Sequence, residues 1–178
     1  LNFHLYGDYG LNVFNSRSLA YLKDKELESA CVSFELRFAQ IRDLKKVLRA
    51  EAIVYGRLPL MITENCLVQN ETGCRLDRQG PCVPEDGPCR CGQPNVLVDR
   101  TGAAFPLLPA YGHRTEIQNS KPLYLADRPE HRRLGLAYAR LRFTTETAEE
   151  CVSVVQNYLD AAPAAGDFTR GLYERGVE

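Results

Sequence analysis

No apolar run in the sequence approaches the ~18 to 20 residues that a membrane-spanning helix needs. The longest candidate, Ala103 to Tyr111, is broken by Pro106 and Pro109, so a transmembrane role is excluded on this count. An excess of one charge is also missing: 22 Lys+Arg stand against 23 Asp+Glu, a net charge of -1. No global field therefore draws in nucleic acid or acidic lipid, and such binding would need a local basic patch. There is no G-x-S-x-G elbow, no H-E-x-x-H helix and no P-loop, which leaves the usual serine, zinc and nucleotide-driven hydrolases without support. An initiator Met is absent at Leu1. This gives the expectation of a piece of a longer polypeptide, in which any signal peptide would lie out of view.

What is present is an ordinary globular composition, 44% hydrophobic and 25% charged over 178 residues, with an unusual use of cysteine. Five of the seven cysteines, Cys66, Cys74, Cys82, Cys89 and Cys91, fall in one 26-residue stretch. An odd total crowded locally fits a metal site better than a disulfide framework, because a chain of this length can build a core without covalent staples. A cytoplasmic compartment is the matching expectation. Reduced, unpaired loop thiols are the plainer alternative.

The apolar period changes repeatedly from two to about 3.6, the signature of strands alternating with helices. Leu1, Phe3 and Leu5 share one side of a first strand, and Asn2, His4 and Tyr6 the other. A helix capped by Asn15 or Ser16 follows, carrying Leu19 and Leu22 inward. Ala30 to Val32 reads as a strand, Leu36, Ala39, Ile41, Leu44 and Leu48 as a helix, and Ala52 to Tyr55 as a third strand. The pattern returns after residue 113. Asp127 with Glu130 predicts a capping box on a short helix closed by Gly135, and a strand runs through Ala137, Ala139, Leu141 and Phe143. Thr147 with Glu150 predicts a second capping box on a helix that Pro163 stops. Residues 1-63 and 114-178 are thus read as βα units with a mostly parallel sheet. Residues 64-113 are read as a Cys-rich insert whose regular feature is a hairpin pairing Asn95 to Asp99 with Ala104 to Leu108 around Thr101-Gly102.

The strand faces opposite the helices carry His4 and Tyr6 early and Tyr138, Arg140 and Arg142 late, a mixture unusual for pure packing. Glu35, Tyr55, Arg57 and Glu64 lie at or just past strand ends, where α/β folds place their chemistry. Each has a plainer reading. His4 fits a core histidine as well as a catalytic one, and Glu35 and Glu64 fit helix caps or solvated charges. Arg57, Arg140, Arg142, Arg170 and Arg175 fit salt bridges as well as anion contacts. Arg128, His131, Arg132 and Arg133 read as a solvated helix face, with RNA contact a minority option.

The run Tyr55-Gly56-Arg57-Leu58-Pro59-Leu60-Met61, with Glu64 and Cys66 after it, resembles the central signature of peptidase family U32, the collagenase-like proteases. Asn12 to Ser16, Asn119-Ser120 after Arg114, Phe143 to Glu146, Phe168 to Gly171 and Arg175 to Val177 are similar to the family's other landmarks, in the same order, so that the resemblance covers essentially the whole chain, its C-terminal part included. It implies a partial TIM-like (β/α) barrel holding only the later strands, with the Cys-rich, hairpin-containing insert, and a missing N-terminal half of the barrel as partner. The family carries a protease label, and other members are linked to hydroxylation of transfer or ribosomal RNA bases or of quinone precursors. Some bind a 4Fe-4S cluster through four cysteines. Cys66, Cys74 and Cys91 match three of those positions; the fourth is His113 here, with Cys89 or Cys82 as alternatives and zinc as the alternative metal. The resemblance places Glu35, Tyr55, Arg57 and Glu64 in a catalytic site, with His4, Arg140 and Arg170 binding substrate. It leads to an expected iron-sulfur-dependent hydroxylation in tRNA, rRNA or cofactor modification. A collagenase-like peptidase is the alternative, with Cys91 and His113 its one plausible thiol-imidazole pair. A scaffold with structural zinc is the third reading.

Overall fold

The computed structural model describes residues 3–72, 90 and 93–176. In chain order the elements are β1 (Leu5–Gly7), α1 (Ser16–Asp24), β2 (Leu27–Cys31), α2 (Phe38–Asp43), β3 (Arg49–Gly56), β4 (Pro59–Thr63) and α3 (Leu67–Thr72). They continue with β5 (Asn95–Val98), β6 (Ala104–Ala110), β7 (Arg114–Gln118), β8 (Leu123–Tyr124), β9 (Tyr138–Leu141) and α4 (Ala148–Asp160). The chain divides into two units, Leu1–Gly56 with Pro122–Glu178, and Arg57–Lys121. Among the described residues no helix is long and apolar enough to cross a membrane.

The first unit is built around β3. Glu51 pairs with Cys31 of β2 and with Tyr138 of β9, so these two parallel neighbours take opposite edges of the strand. β1 pairs with β2 in parallel, and β8 runs antiparallel to the last two residues of β3. The order β1-β2-β3-β9 is that of consecutive βα units. The sheet is open, because β1 pairs with β2 alone and β9 with β3 alone among the described residues. This overturns the expected TIM-like barrel: closure needs every strand to have two neighbours, and the fold is mixed α/β with two open sheets.

Local chemistry explains most of the elements. The Asn15 side chain accepts from the backbone N–H groups of Arg17 and Ser18 at 3.0 Å, which starts α1 and turns Leu19 into the core. Thr147 and Glu150 form the expected capping box on α4. The helix expected through Leu48 ends instead at Asp43. Lys46 Nζ donates to the carbonyls of Ile41 (2.6 Å), Arg42 and Leu44 (3.3 Å each), consuming acceptors that a longer helix would have paired. The Asp127–Glu130 box does not form either: Pro129–Arg133 is a 3-10 turn without a side-chain cap. The Asp127 carboxylate is held by Arg170 instead. Gly56 has φ +121°, and a Cβ there would sit 2.0 Å from the carbonyl oxygen of Arg142, so only glycine lets β3 and the end of β9 approach this closely.

The core contains Leu19, Val32, Leu36, Ile41, Ile53, Val54, Leu123 and Leu125, all nearly inaccessible. A second cluster is aromatic: Tyr55, Tyr124, Phe143, Tyr158 and Phe168 pack around Val154 of α4, with Tyr55 edge-on to Tyr158 at 6.2 Å. Two phenols reach the β3 backbone. Tyr158 Oη donates to the Val54 carbonyl at 2.5 Å and accepts from the Leu125 N–H at 2.8 Å, while Tyr173 Oη donates to the Ile53 carbonyl at 2.6 Å.

In the second unit, β4, β7, β6 and β5 form an antiparallel sheet in that order. The expected hairpin is present, with Asn95 opposite Leu107 and Val98 opposite Ala104. Asp99 closes its turn by accepting from Thr101 N–H at 2.7 Å and Ala103 N–H at 3.0 Å, and Gly102 supplies φ +85°. β4 and β7, which extend this hairpin into a sheet, have no counterpart in the sequence reading.

Tyr158→Phe keeps the ring and removes the one group that satisfies both Val54 and Leu125. The expected loss is about 1–3 kcal/mol, read as a lower urea midpoint with an unchanged slope; a midpoint equal to wild type would show that the two backbone groups find other partners.

Candidate functional site

A charged cluster gathers on one face of the first unit, between the carboxyl ends of β1 and β2, the first half of β3 and β9. Asp8 directly follows β1, Cys31 ends β2, Glu51 lies in β3, Arg140 lies in β9 and Arg142 follows it. The Arg140 guanidinium donates to Asp8 Oδ1 through one nitrogen and to Glu51 Oε1 through the other. The Glu51 side chain is only 11% exposed and that of Asp8 62%, so one carboxylate is a buried anchor and the other faces solvent. Burial opposes the Arg140 charge, but the Glu51 hydrogen bond and the surrounding Cys31, Glu51 and Asp8 hold its pKa above the ordinary arginine value.

Arg142 adds a second cation. Its guanidinium lies 5.5 Å from the Tyr9 ring centroid and donates to Tyr9 Oη at 3.4 Å; Tyr9 in turn packs on Phe34 at 5.8 Å. The Cys31 thiol is pushed up to about 12, chiefly by burial. It stays protonated at neutral pH and is no nucleophile. Toward the amino ends of the strands, Glu28 accepts from Tyr6 Oη at 3.1 Å and pairs with His4 Nδ1. The His4 hydrogen bond, then that of Tyr6, holds the Glu28 carboxyl below its usual range. Arg49 donates to Tyr138 Oη at 3.2 Å. The polar strand face expected from alternation is therefore a row of paired charges.

The other expected site residues are distributed as follows. Glu35 is exposed beyond β2, its N–H donating to Ser33 Oγ at 3.3 Å. Tyr55 is buried in the aromatic cluster and donates to Glu146 Oε1 at 3.2 Å. In the second unit, the Arg57 guanidinium donates to the carbonyls of Asn119, at 3.0 Å, and Ser120, while Glu64 is exposed and paired with Arg114 at 3.2 Å. Arg170 grips Asp127 in bidentate fashion at 2.5 and 2.7 Å, donates to the Tyr124 carbonyl at 2.7 Å and covers the Phe168 ring. Of the expected substrate-binding residues, Arg140 thus stands in the cluster. His4 is paired with Glu28, and Arg170 clamps the chain after α4 onto β8.

Asp8, Tyr9 and Glu51 were not singled out in the sequence. Asp8 carried a usable signal, its position directly after the first strand. Glu51 was masked by the apolar run it introduces.

Among the expected metal donors, Cys66 is buried just before α3, and His113, with φ +60°, lies in the turn between β6 and β7. Cys74 and Cys91, and the alternatives Cys82 and Cys89, lie outside the described residues. Among the described residues no three His, Cys, Asp or Glu side chains converge as a metal would need. The expected iron-sulfur or other metal-binding character is not borne out by them, and the described donors alone do not fit a cluster.

The Arg170–Asp127 clamp has a pH signature. The Arg170 hydrogen bonds hold the Asp127 carboxyl below its usual range. A lowered folded-state value contributes stability that is present above the unfolded value, about 3.9, and is lost as pH falls through the folded one. Asp127→Asn should therefore lower Tm at neutral pH, with the gap to wild type closing as the solution is acidified below about pH 4. A gap independent of pH would remove the ion pair as its cause.

A family model described as peptidase family U32 matches residues 1–100. No curated protein and no solved structure matches the chain. The match spans β1 to β5 and includes Asp8, Tyr9, Cys31 and Glu51. It covers the N-terminal part of the chain and not the C-terminal part, which overturns the expected continuation of the resemblance through Asn119-Ser120, Phe143 to Glu146 and Phe168 to Gly171. Residues 1–100 are more than half of the 178, and on that match the chain belongs to peptidase family U32.

Proposed function

We propose that the chain acts as a peptidase on collagen-like or other peptides, with the Asp8–Arg140–Glu51 cluster as its reacting centre. Family membership favours hydrolysis over the hydroxylation of RNA or a cofactor. The observation that carries the reading is the unequal burial of two carboxylates on one guanidinium, Glu51 within β3 and Asp8 just past β1.

The division of labour follows from exposure. Asp8, open to solvent, takes a proton from a water molecule as its oxygen bonds to the scissile carbonyl carbon. Arg140 and Arg142 stabilise the negative charge that develops on the carbonyl oxygen. The carbon–nitrogen bond then breaks, and the proton held by Asp8 passes to the departing amine. Glu51 does not touch substrate; it fixes Arg140 by accepting from the guanidinium nitrogen that Asp8 leaves. Tyr9 supports Arg142 through its ring face.

Cleavage of a fluorogenic collagen-derived peptide tests the assignment. Asp8→Asn is expected to lower kcat by about 10²–10⁴-fold with Tm close to wild type. Glu51→Gln is expected to lower both activity and Tm, because it leaves a partly buried Arg140 short of charge compensation. A wild-type protein that leaves gelatin and collagen peptides intact, or an Asp8→Asn variant of full activity, would sink the reading. An RNA substrate that gains the mass of one oxygen atom would favour the hydroxylase instead.

A further inference from the structure

The pairing of β1 with β2 contains an extra residue, and that residue carries the side chain that ties the two strands together on the face of the reacting centre. Leu5 pairs with Leu27, but Tyr6 pairs with Ser29 and Gly7 with Ala30. One step along β1 is therefore matched by two along β2, and Glu28 is left over as a bulge. Its carboxylate accepts from Tyr6 Oη at 3.1 Å through one oxygen and from His4 Nδ1 through the other. By strand alternation His4, Tyr6 and Asp8 fall on one face of this segment, and Leu5 and Gly7 on the other.

The bulge decides which residue of β2 Asp8 comes level with. Continued one residue past Gly7 and Ala30, the register sets Asp8 beside Cys31, which pairs in turn with Glu51 of β3. Asp8 and Glu51 thereby come within the span of the single Arg140 guanidinium that bonds both. With β2 held in place by β3, a β1 slipped by one residue would instead pair Asp8 with Ala30, about 3.3 Å back along the strand and on the opposite face. Ala30 is fully buried, so a carboxylate there would lie against the core and away from Arg140.

Two features hold the observed register in a strand of only three residues. Gly7 sits so close to its neighbours that a Cβ there would lie 2.7 Å from Leu11 Cδ1 and 3.1 Å from Leu27 Cδ2, which crowds any side chain that a slip would bring to that place. Glu28 supplies the attraction, because its two oxygens are both satisfied only when His4 and Tyr6 stand on either side of Leu5. A bulge that re-aims one side chain next to a functional group is a recurrent use of this irregularity.

We propose, on the reading of Asp8 as the base, that Glu28 is a positioning residue for the reacting centre. It pins the bulged register of β1 and so places the Asp8 carboxylate on Arg140, acting through the strand and not by contact with substrate.

Peptide cleavage and backbone NMR together test this. Glu28→Ala should lower kcat about tenfold with KM little changed, since a misplacement of about 1 Å can cost about 10²-fold in rate. Glu28→Gln, which keeps an acceptor for Tyr6, should recover part of the loss. In the Asp8→Asn protein the same Glu28→Ala change should lower kcat no further, because the carboxylate that Glu28 places is gone; a purely structural role would cost the same on both backgrounds. The register is read without catalysis. Contacts between the backbone protons of Tyr6 and Ser29, and of Gly7 and Ala30, should be present in wild type and should weaken or give way to a second set in Glu28→Ala. A wild-type kcat in Glu28→Ala, an equal loss on both backgrounds, or backbone contacts that stay unchanged would each overturn the inference. A wild-type chain that cleaves no peptide while Glu28→Ala loses the contacts would remove the peptidase reading and leave Glu28 as the residue that sets the β1 register.

Discussion

The first unit depends on what happens to the backbone of β3 where its pairing is interrupted. The register to β9 shifts between Ile53 and Tyr55, the signature of an extra residue bulging out of the ladder. The strand is buried at this point, and a carbonyl left unpaired there would cost more than an average hydrogen bond contributes. Two phenols meet that demand: Tyr173 takes the Ile53 carbonyl and Tyr158 the Val54 carbonyl. They arrive from the last segment of the unit and from α4, 120 and 104 residues further along the chain. Burial in turn raises both phenol pKa values, so each hydroxyl keeps its proton and stays a donor through the neutral range. The bulge thereby fixes where α4 lies, and Tyr55, just past it, turns into the aromatic cluster that holds α4 on the sheet.

The charged row lies on the same strand and follows from the same constraint. Glu51 sits before the bulge, level with the end of β2 and the start of β9. A carboxylate this deeply buried is tolerated only with a hydrogen-bonded cation, and Arg140 supplies it. Because Arg140 has a second nitrogen to offer, it also draws in Asp8, whose position after β1 keeps it in solvent. One buried charge pair thus holds a solvent-facing carboxylate at a strand end without a dedicated loop to carry it.

The sequence made local features legible and left distant ones hidden. Asn15 and Thr147 were readable as caps, since the groups they satisfy lie two or three residues away. The turn at Thr101-Gly102 was readable for the same reason, though not the role of Asp99 in closing it. The helix expected to Leu48 failed because apolar periodicity outlasts the helix: Leu48 is buried although α2 has already ended. Asp127 looked like a capping residue until Arg170, 43 positions later, took its carboxylate. The polar face of β1 and β9 could be inferred from alternation, whereas the roles within it could not. The two partners of Arg140 lie 132 and 89 residues away in the chain, and nothing in local spacing marks either of them. The barrel expectation failed on a similar point, because strand order follows from repeated βα units while closure depends on pairings at the outermost edges.

Those outermost edges set the first unit apart from the second. Proteins commonly blunt an exposed strand edge with proline, outward charge or a covering element. In the antiparallel sheet the edge strands are β4 and β5; β4 begins at Pro59 and Pro94 directly precedes β5. β1 and β9 contain no proline, and the charged side chains near their edges are engaged within the chain, His4 with Glu28 and Arg140 with Glu51 and Asp8. A parallel sheet is ordinarily covered on both faces and continued or closed at its sides. With apolar side chains exposed on both flanking strands and along α4, these two edges lack, among the described residues, the devices that blunt the second sheet.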